Sequence, residues 1–191
     1  KMDVRISSDF PWDGKVTAEI NVEEPVACRL AFRIPGWCRS YTLNGQKGPG
    51  EGEIMTADGE TRQVKDGYLI IDKVWKGGET LELDFPMEVR LMQADSRVRE
   101  DIGKAAVTRG PVVYGMEEAD NGKNLHLFSL ASDPAPQALL EEKIGQRMVT
   151  VTTKGRKLAV QKEDNGDLYR EYGTAEYEEA VLQWIPYYAR S

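Results

Sequence analysis

The chain has 191 residues, 40% of them apolar, which is enough for one large or two small cored domains and argues against wholesale disorder. Its net charge of −7, from 25 basic and 32 acidic residues, lacks the basic balance that nucleic-acid binding requires. No apolar run reaches the length of a membrane-spanning helix, so neither nucleic acid nor membrane is an expected partner.

The opening Lys1-Met2-Asp3-Val4-Arg5 alternates as a strand does and has no leader pattern, which leaves the compartment unread. Pro11 and Asp13-Gly14 then punctuate a turn. Val16, Ala18, Ile20 and Val22 alternate with Lys15, Thr17, Glu19 and Asn21, the pattern of a strand with one wet face. Leu30, Phe32 and Ile34 repeat that pattern up to Pro35-Gly36, where proline withdraws a ladder donor and the strand must bend. Trp37 follows at once, and Asn44-Gly45 is a strong hairpin-turn dipeptide. This core strand, bend, aromatic and turn organise the first half.

Residues 44–66, rich in Gly, Glu and Lys, read as a long hairpin arm or surface loop. Gly67-Tyr68-Leu69-Ile70-Ile71 is apolar on both faces, hence an interior strand, and Trp75-Lys76-Gly77-Gly78 makes the next turn. Leu81, Leu83 and Phe85 form a further alternating strand, and Val89 and Leu91 a short one. The polar span 93–103 reads as a boundary between domains 1–95 and 96–191.

Beyond it the strand pattern restarts at Ala105 and Val107. Val112 to Met116 reads as a central strand and Leu125 to Leu130 as another. Leu139, Leu140 and Ile144, stopped by Gly145, fit a short helical face. Val149 and Val151 resume strand alternation, with Leu158 and Val160 following after Lys154-Gly155. An acidic stretch from Glu163 to Glu179 contains the turn dipeptide Asn165-Gly166, and Val181 to Ile185 is a last strand closed by Pro186. The expected fold is therefore all-β: two consecutive antiparallel β-sandwich (jelly-roll-like) domains with at most one short helix.

Chemistry is sparse. His126 is the only histidine and has no second histidine or local nucleophile to work with. Glu117 and Glu118, with Asp120 nearby, suggest a glycosidase pair, but adjacent strand residues face opposite ways and cannot flank one bond. Cys28 and Cys38, ten positions apart, make neither a zinc knuckle nor a redox motif; they are two thiols near the core or a disulfide across the bend. Trp12, Trp37, Tyr41, Tyr68 and Trp75 cluster near turns of the first half. Such rings can stack on sugar C–H faces, or close a core, or pack on another domain. Tyr187-Tyr188 poses the same choice.

Several segments, in order, carry a resemblance. They are Asp9-Phe10-Pro11-Trp12-Asp13-Gly14, Phe32-Arg33-Ile34-Pro35-Gly36-Trp37, Asn44-Gly45, Gly67-Tyr68-Leu69-Ile70-Ile71, Val74-Trp75-Lys76-Gly77-Gly78, the run Ala106 to Tyr114, and Ile185-Pro186-Tyr187-Tyr188-Ala189. Together they resemble the C-terminal part of bacterial β-L-arabinofuranosidases, glycoside hydrolase family 127 and relatives. The resemblance covers nearly the whole chain and implies a large N-terminal (α/α) barrel with the active site, followed by two β-sandwiches. It further implies a zinc-bound cysteine nucleophile with glutamates, all in that barrel.

Neither Cys28 nor Cys38 lies in a matching motif, since no adjacent cysteine pair and no Glu-x-Cys is present, so no catalytic residue is carried over. At Gly77-Gly78-Glu79 the chain departs from the family's Gly-Asp, which touches only a turn. The expectation is a non-catalytic accessory region of a glycoside hydrolase acting on arabinose-containing plant glycans. It would have no cofactor of its own, with zinc in the catalytic domain. The expected partner is that barrel in the same polypeptide, with a homo-oligomer and a carbohydrate as further candidates. Trp12, Trp37, Tyr68 and Trp75 are the expected binding residues, as barrel interface or sugar platform. The alternatives are a stand-alone carbohydrate-binding module and a structural or adhesive β-domain of a surface protein.

Overall fold

Strands form wherever apolar and polar residues alternate, and a computed structural model describes them at residues 1–159, 169 and 173–189. The chain divides into two units, Lys1–Glu88 and Val89–Ser191. In the first, β1 (Met2–Ser8), β2 (Lys15–Val22), β3 (Val26–Arg33), β4 (Thr42–Leu43), β5 (Gln46–Lys47), β6 (Ile54–Ala57), β7 (Glu60–Lys65), β8 (Tyr68–Trp75) and β9 (Glu79–Asp84) follow one another. They build a five-stranded sheet, β1-β2-β9-β4-β5, and a four-stranded sheet, β3-β8-β7-β6. The named strands pair antiparallel throughout, with Val16 opposite Leu83 and Ala18 opposite Leu81 on the inner face of the first sheet. Leu69, Ile71 and Trp75 of β8 meet Ala18, Ile20, Leu81 and Leu83 in one core, completed by Phe32, Tyr41, Val64 and Phe85. Both sheets thus give one face to a common interior, as a sandwich must.

The tight turns follow from backbone stereochemistry. Asn44-Gly45, Asp58-Gly59 and Asp66-Gly67 each have positive φ at both positions, the type I′ geometry that joins right-twisted strands through two residues. Of hairpin arm and surface loop, residues 44–66 prove to be the first, since β6 and β7 pair antiparallel. They contain β5, β6 and β7, and β7 sends Val64 into the core.

The second unit contains β10 (Val89–Met92), β11 (Ala106–Arg109), β12 (Val112–Gly115), the single helical turn α1 (Glu118–Asn121), β13 (Phe128–Leu130), β14 (Gln137–Lys143), β15 (Gln146–Leu158) and β16 (Tyr177–Pro186). They form one antiparallel path, β10-β11-β12-β16-β15-β13, with β14 also on β15. Val107, Val112, Tyr114, Val151, Leu182 and Trp184 form its core, and Val89, Leu91, Phe128 and Leu130 from both ends of the path pack on it. Within that core the Trp184 indole donates to the Thr153 hydroxyl at 2.9 Å, so the buried hydroxyl is satisfied. The all-β class holds: antiparallel sheets in a sandwich-like arrangement, with one short α-helix among the described residues.

Four details differ from the sequence reading. Residues 137–143 are strand β14, not a helix, and Ile144-Gly145 with φ of 49° and 71° closes a two-residue turn onto β15. Leu125–Leu127 is a 3-10 turn, leaving only Phe128–Leu130 as strand. Gly155 does not interrupt its strand, because β15 runs unbroken from Gln146 to Leu158. The two units divide at Glu88 and Val89 rather than near residue 95, because β10 pairs with β11 and so belongs to the second sheet. The Asn165-Gly166 turn lies outside the described residues.

Candidate functional site

The first sequence candidate, Trp12, sits in the loop between β1 and β2. The Asp9 carbonyl accepts from the Trp12 and Asp13 amides at 2.9 and 3.2 Å, and the Asp13 carboxylate accepts from the Lys15 amide at 3.0 Å. These bonds fix the loop, and Trp12 is half-buried in it. Trp37 lies in the bend after β3, where the Cys38 amide donates to the Pro35 carbonyl at 2.9 Å. Its ring stacks on Phe10, centroids 6.2 Å apart at 28°. Phe10 is 44% exposed, so two distant loops bring an aromatic pair to one surface.

Tyr68 opens β8 opposite Arg33, whose guanidinium carbon lies 5.3 Å from its ring centre. Tyr68 is 42% exposed, and the adjacent Gly67 carbonyl accepts from the Ile34 amide at 2.8 Å, tying this turn to the Pro35-Trp37 bend. Trp75 is a correction. It is fully buried, its indole donates to the Cys28 carbonyl at 3.0 Å, and the Lys73 ammonium lies 4.5 Å over its ring. Trp75 offers no face to a sugar or a partner, because it shares the inward phase of Leu69 and Ile71. Phe10 is the residue that the sequence reading missed. Its place one turn from Trp12 gave no sign of the stack, which depends on a loop about one strand pair away.

The thiols are not bridged. Cys28 sulfur lies 3.9 Å from the Met2 thioether and Cys38 donates to the Ser40 carbonyl at 2.8 Å. Among the described residues no three His, Cys, Asp or Glu side chains converge as metal ligands would. His126 is exposed in the 3-10 turn before β13. Glu118 accepts from the Asn124 amide at 2.8 Å and so serves the local turn.

A groove of about 840 Å³ in the first unit contains a carboxylate pair, Glu60 and Glu79, together with Arg62 and Lys73. The Lys73 ammonium bridges both carboxylates, at 3.3 Å from Glu60 and in close contact with Glu79, and Arg62 also pairs with Glu60. Burial alone would raise both carboxyl pKa values. Hydrogen bonds and charge from Arg62 and Lys73 outweigh it at Glu60, and those from Lys73 and the Lys76 amide outweigh it at Glu79, so both are held below the usual range. Burial likewise opposes the Lys73 charge, but bonds to Glu79 and Glu60 prevail and raise its pKa. An acid for glycoside hydrolysis must hold a proton near neutrality. Neither carboxyl does, so the pair is an ion-pair network and not a catalytic dyad.

The sign of its pH dependence follows. Depressed carboxyl pKa values give stability that is present above the unfolded value near 4.5 and lost as pH falls through the lower folded values. The raised Lys73 gives stability that is present below 10.5 and lost as pH rises through its folded value. We expect Lys73→Met to lower the stability of the first unit by about 1–3 kcal/mol at neutral pH and to flatten its acid sensitivity below pH 4.5. Urea titrations of both proteins at neutral and acid pH check this; an unchanged acid slope would remove the network from the account.

Comparison with known proteins places these features. The model of the β-L-arabinofuranosidase, GH127 middle domain matches residues 1–87, and that of the glycoside hydrolase family 127 C-terminal domain matches residues 89–191. The non-reducing end β-L-arabinofuranosidase of Bifidobacterium longum subsp. longum is 35% identical over 95% of this chain, which spans 27% of that protein. The crystal structure of a GH127 β-L-arabinofuranosidase from Geobacillus stearothermophilus T6 superposes with a TM-score of 0.82 at 33% identity, covering 98% of this chain and 28% of that one. A further GH127 β-arabinofuranosidase structure gives a TM-score of 0.78 at 27% identity, covering 99% and 29%. The chain therefore spans less than a third of the length of each relative, and over that span it belongs to glycoside hydrolase family 127 as its middle and C-terminal domains.

Proposed function

We propose that this chain is the non-catalytic, bracing region of a glycoside hydrolase acting on arabinose-containing plant glycans, and that it packs on an (α/α) barrel which performs the chemistry. The observation that carries this reading is the consecutive match of middle and C-terminal domain models across the chain, at 27–29% of the relatives' length. The ion-paired Glu60 and Glu79 supply no protonated acid, which supports the same reading. The exposed Phe10 ring, stacked on the half-buried Trp37, with the half-buried Trp12 in the same loop as Phe10, is the surface best suited to meet the barrel, since rings held by two fixed loops give area with little ordering cost.

Zinc, in this reading, belongs to the barrel. Cys28 and Cys38 are each engaged locally and do not form a donor set with other described residues, so no step is drawn through the metal. The alternative of a stand-alone carbohydrate-binding module loses Trp75 to the core and has Arg33 against Tyr68. The test is hydrolysis of an aryl β-L-arabinofuranoside by the 191-residue chain with zinc supplied. No release of the phenol is expected, and zinc-dependent release would overturn the reading.

A further inference from the structure

On the inner face of the four-stranded sheet the side chains change character along the strands. Val64 of β7 and Leu69 and Ile71 of β8 lie in the core. Two and four residues before Val64, β7 sets Arg62 and Glu60 on that same face, and two residues after Ile71, β8 sets Lys73 there. Met55 of β6 lies opposite Arg62 and shares the phase. From the five-stranded sheet Glu79, opposite the buried Ile20, reaches across to Lys73. Charged groups therefore stand where apolar ones would close the sandwich, and they line the groove of about 840 Å³. Apolar side chains of similar volume commonly replace such an ion network at no loss of stability. Closing the core is thus not what calls for these residues.

The lining selects the chemistry of a ligand. Asp58, Glu60 and Glu79 stand against Arg62, Lys73 and Lys76, three acids and three bases, so neither an anion nor a cation meets a net opposite charge. The network still has hydrogen-bonding capacity of both kinds. Arg62 reaches Glu60 through Nε, and among the described residues no bond takes up its two terminal amino groups. Glu60 gives its oxygens to Arg62 and Lys73, and Glu79 gives its own to Lys73 and to the Lys76 amide at 2.6 Å. A carboxylate oxygen has two acceptor sites, so each keeps one for a further donor. Adjacent hydroxyl groups, which donate and accept at once, match this set of donors and acceptors. Met55 and Val74, 47% and 51% exposed, add apolar surface for C–H groups. The volume falls within the usual range of small-ligand sites, about 300–1,000 Å³.

We propose that this groove binds a neutral saccharide through adjacent hydroxyls held by Arg62 and by the Glu60 and Glu79 carboxylates. No bond is made or broken there. The proposal does not depend on the bracing role, and either can fail alone.

The experiment is a nuclear magnetic resonance titration of the 191-residue chain, labelled at its methionine methyl groups. The probes are the trisaccharides of L-arabinose, D-xylose, D-glucose and D-galactose, beside acetate and tetramethylammonium. The Met55 methyl reads the groove, and the fully buried Met148 of the second unit is the reference. At least one trisaccharide is expected to shift Met55 saturably, with a dissociation constant of about 1 mM or tighter, and to leave Met148 in place. Neither ion should do so. Calorimetry on variants shown to fold by circular dichroism should find binding weakened at least about tenfold in Arg62→Met and about threefold in Met55→Ala. Met55 unmoved by all four trisaccharides, an equal response to either ion, or full affinity in either folded variant would overturn the proposal.

Discussion

Replacing Trp75 by alanine is expected to cost the first unit about 3–5 kcal/mol, enough to unfold it or leave it marginal at room temperature. The side chain is completely buried among Leu69, Ile71, Ala18 and Ile20, so truncation opens a large cavity at the meeting of the two sheets. Three further interactions go with the ring. Its indole bond to the Cys28 carbonyl ties β8 to β3, Lys73 lies over its face, and Lys73 in turn holds Glu60 on β7 and Glu79 on β9. Trp75→Phe keeps most of the volume but leaves the indole bond unmade, for an expected loss of about 1–3 kcal/mol. Urea unfolding followed by circular dichroism, which reads the transition of each unit, separates the effects. We expect the second unit to keep its own transition, because its core is built from β10 to β16 alone. A loss below about 1 kcal/mol in Trp75→Ala would contradict the placement of this ring at the centre of the sandwich.

The largest effect expected in the second unit is at Gly155. This residue lies in the middle of β15, opposite Leu130 on one side and Ala180 on the other. A methyl group there would fall 2.5 Å from Leu182 carbon atoms and 2.8 Å from the Ser129 carbonyl oxygen. Leu182 is almost fully buried and cannot swing away, and the carbonyl belongs to the neighbouring strand. Gly155→Ala must therefore part β13 from β15 or displace the core, at an expected cost of about 3 kcal/mol. Adding Leu182→Ala should not restore the loss, because the Ser129 clash persists and a cavity is added. Thermal unfolding of the single and double variants measures both. A single variant as stable as the parent would contradict the close packing of Gly155 against Leu182 and the Ser129 carbonyl.

These two residues also show what alternation reveals and what it hides. The run Gly67 to Ile71, apolar on both faces, announces an interior strand, and β8 does lie between β3 and β7; that Leu69 and Ile71 rather than Tyr68 and Ile70 turn inward is settled only by the packing. The same phase carries on through Lys73 to Trp75, but a lysine at an inward position looks like the end of a strand. Only Glu60 and Glu79, on other strands, make Lys73 tolerable there, and no local signal announces them. The sequence therefore puts Trp75 at the start of a turn, where sugar platform, domain interface and core closure all remain open to it. The Gly155 break misleads for the converse reason: glycine signals a bend in isolation, but here it makes room for a packed leucine.

Turn chemistry was legible where the side chain itself favours positive φ, as at Asn44-Gly45. It was not legible at Ile144-Gly145, where an isoleucine takes that conformation against its preference, and Leu139, Leu140 and Ile144 happen to match a helical spacing. Trp12 and Trp37 were identifiable as site candidates from their place beside turns. The Phe10 stack was not, because it depends on how two loops meet after folding.

The bracing role rests on chemistry being supplied from outside these two units. The most direct measurement is the initial rate of aryl β-L-arabinofuranoside hydrolysis, with zinc present, for the 191-residue chain alone and for the chain combined with a separately produced family-127 catalytic barrel. The expected result is no rate above buffer for the chain alone, and a barrel activity that rises and persists longer when the chain is added. Zinc-dependent hydrolysis by the chain alone, abolished by Cys28→Ser or Cys38→Ser, would contradict the account.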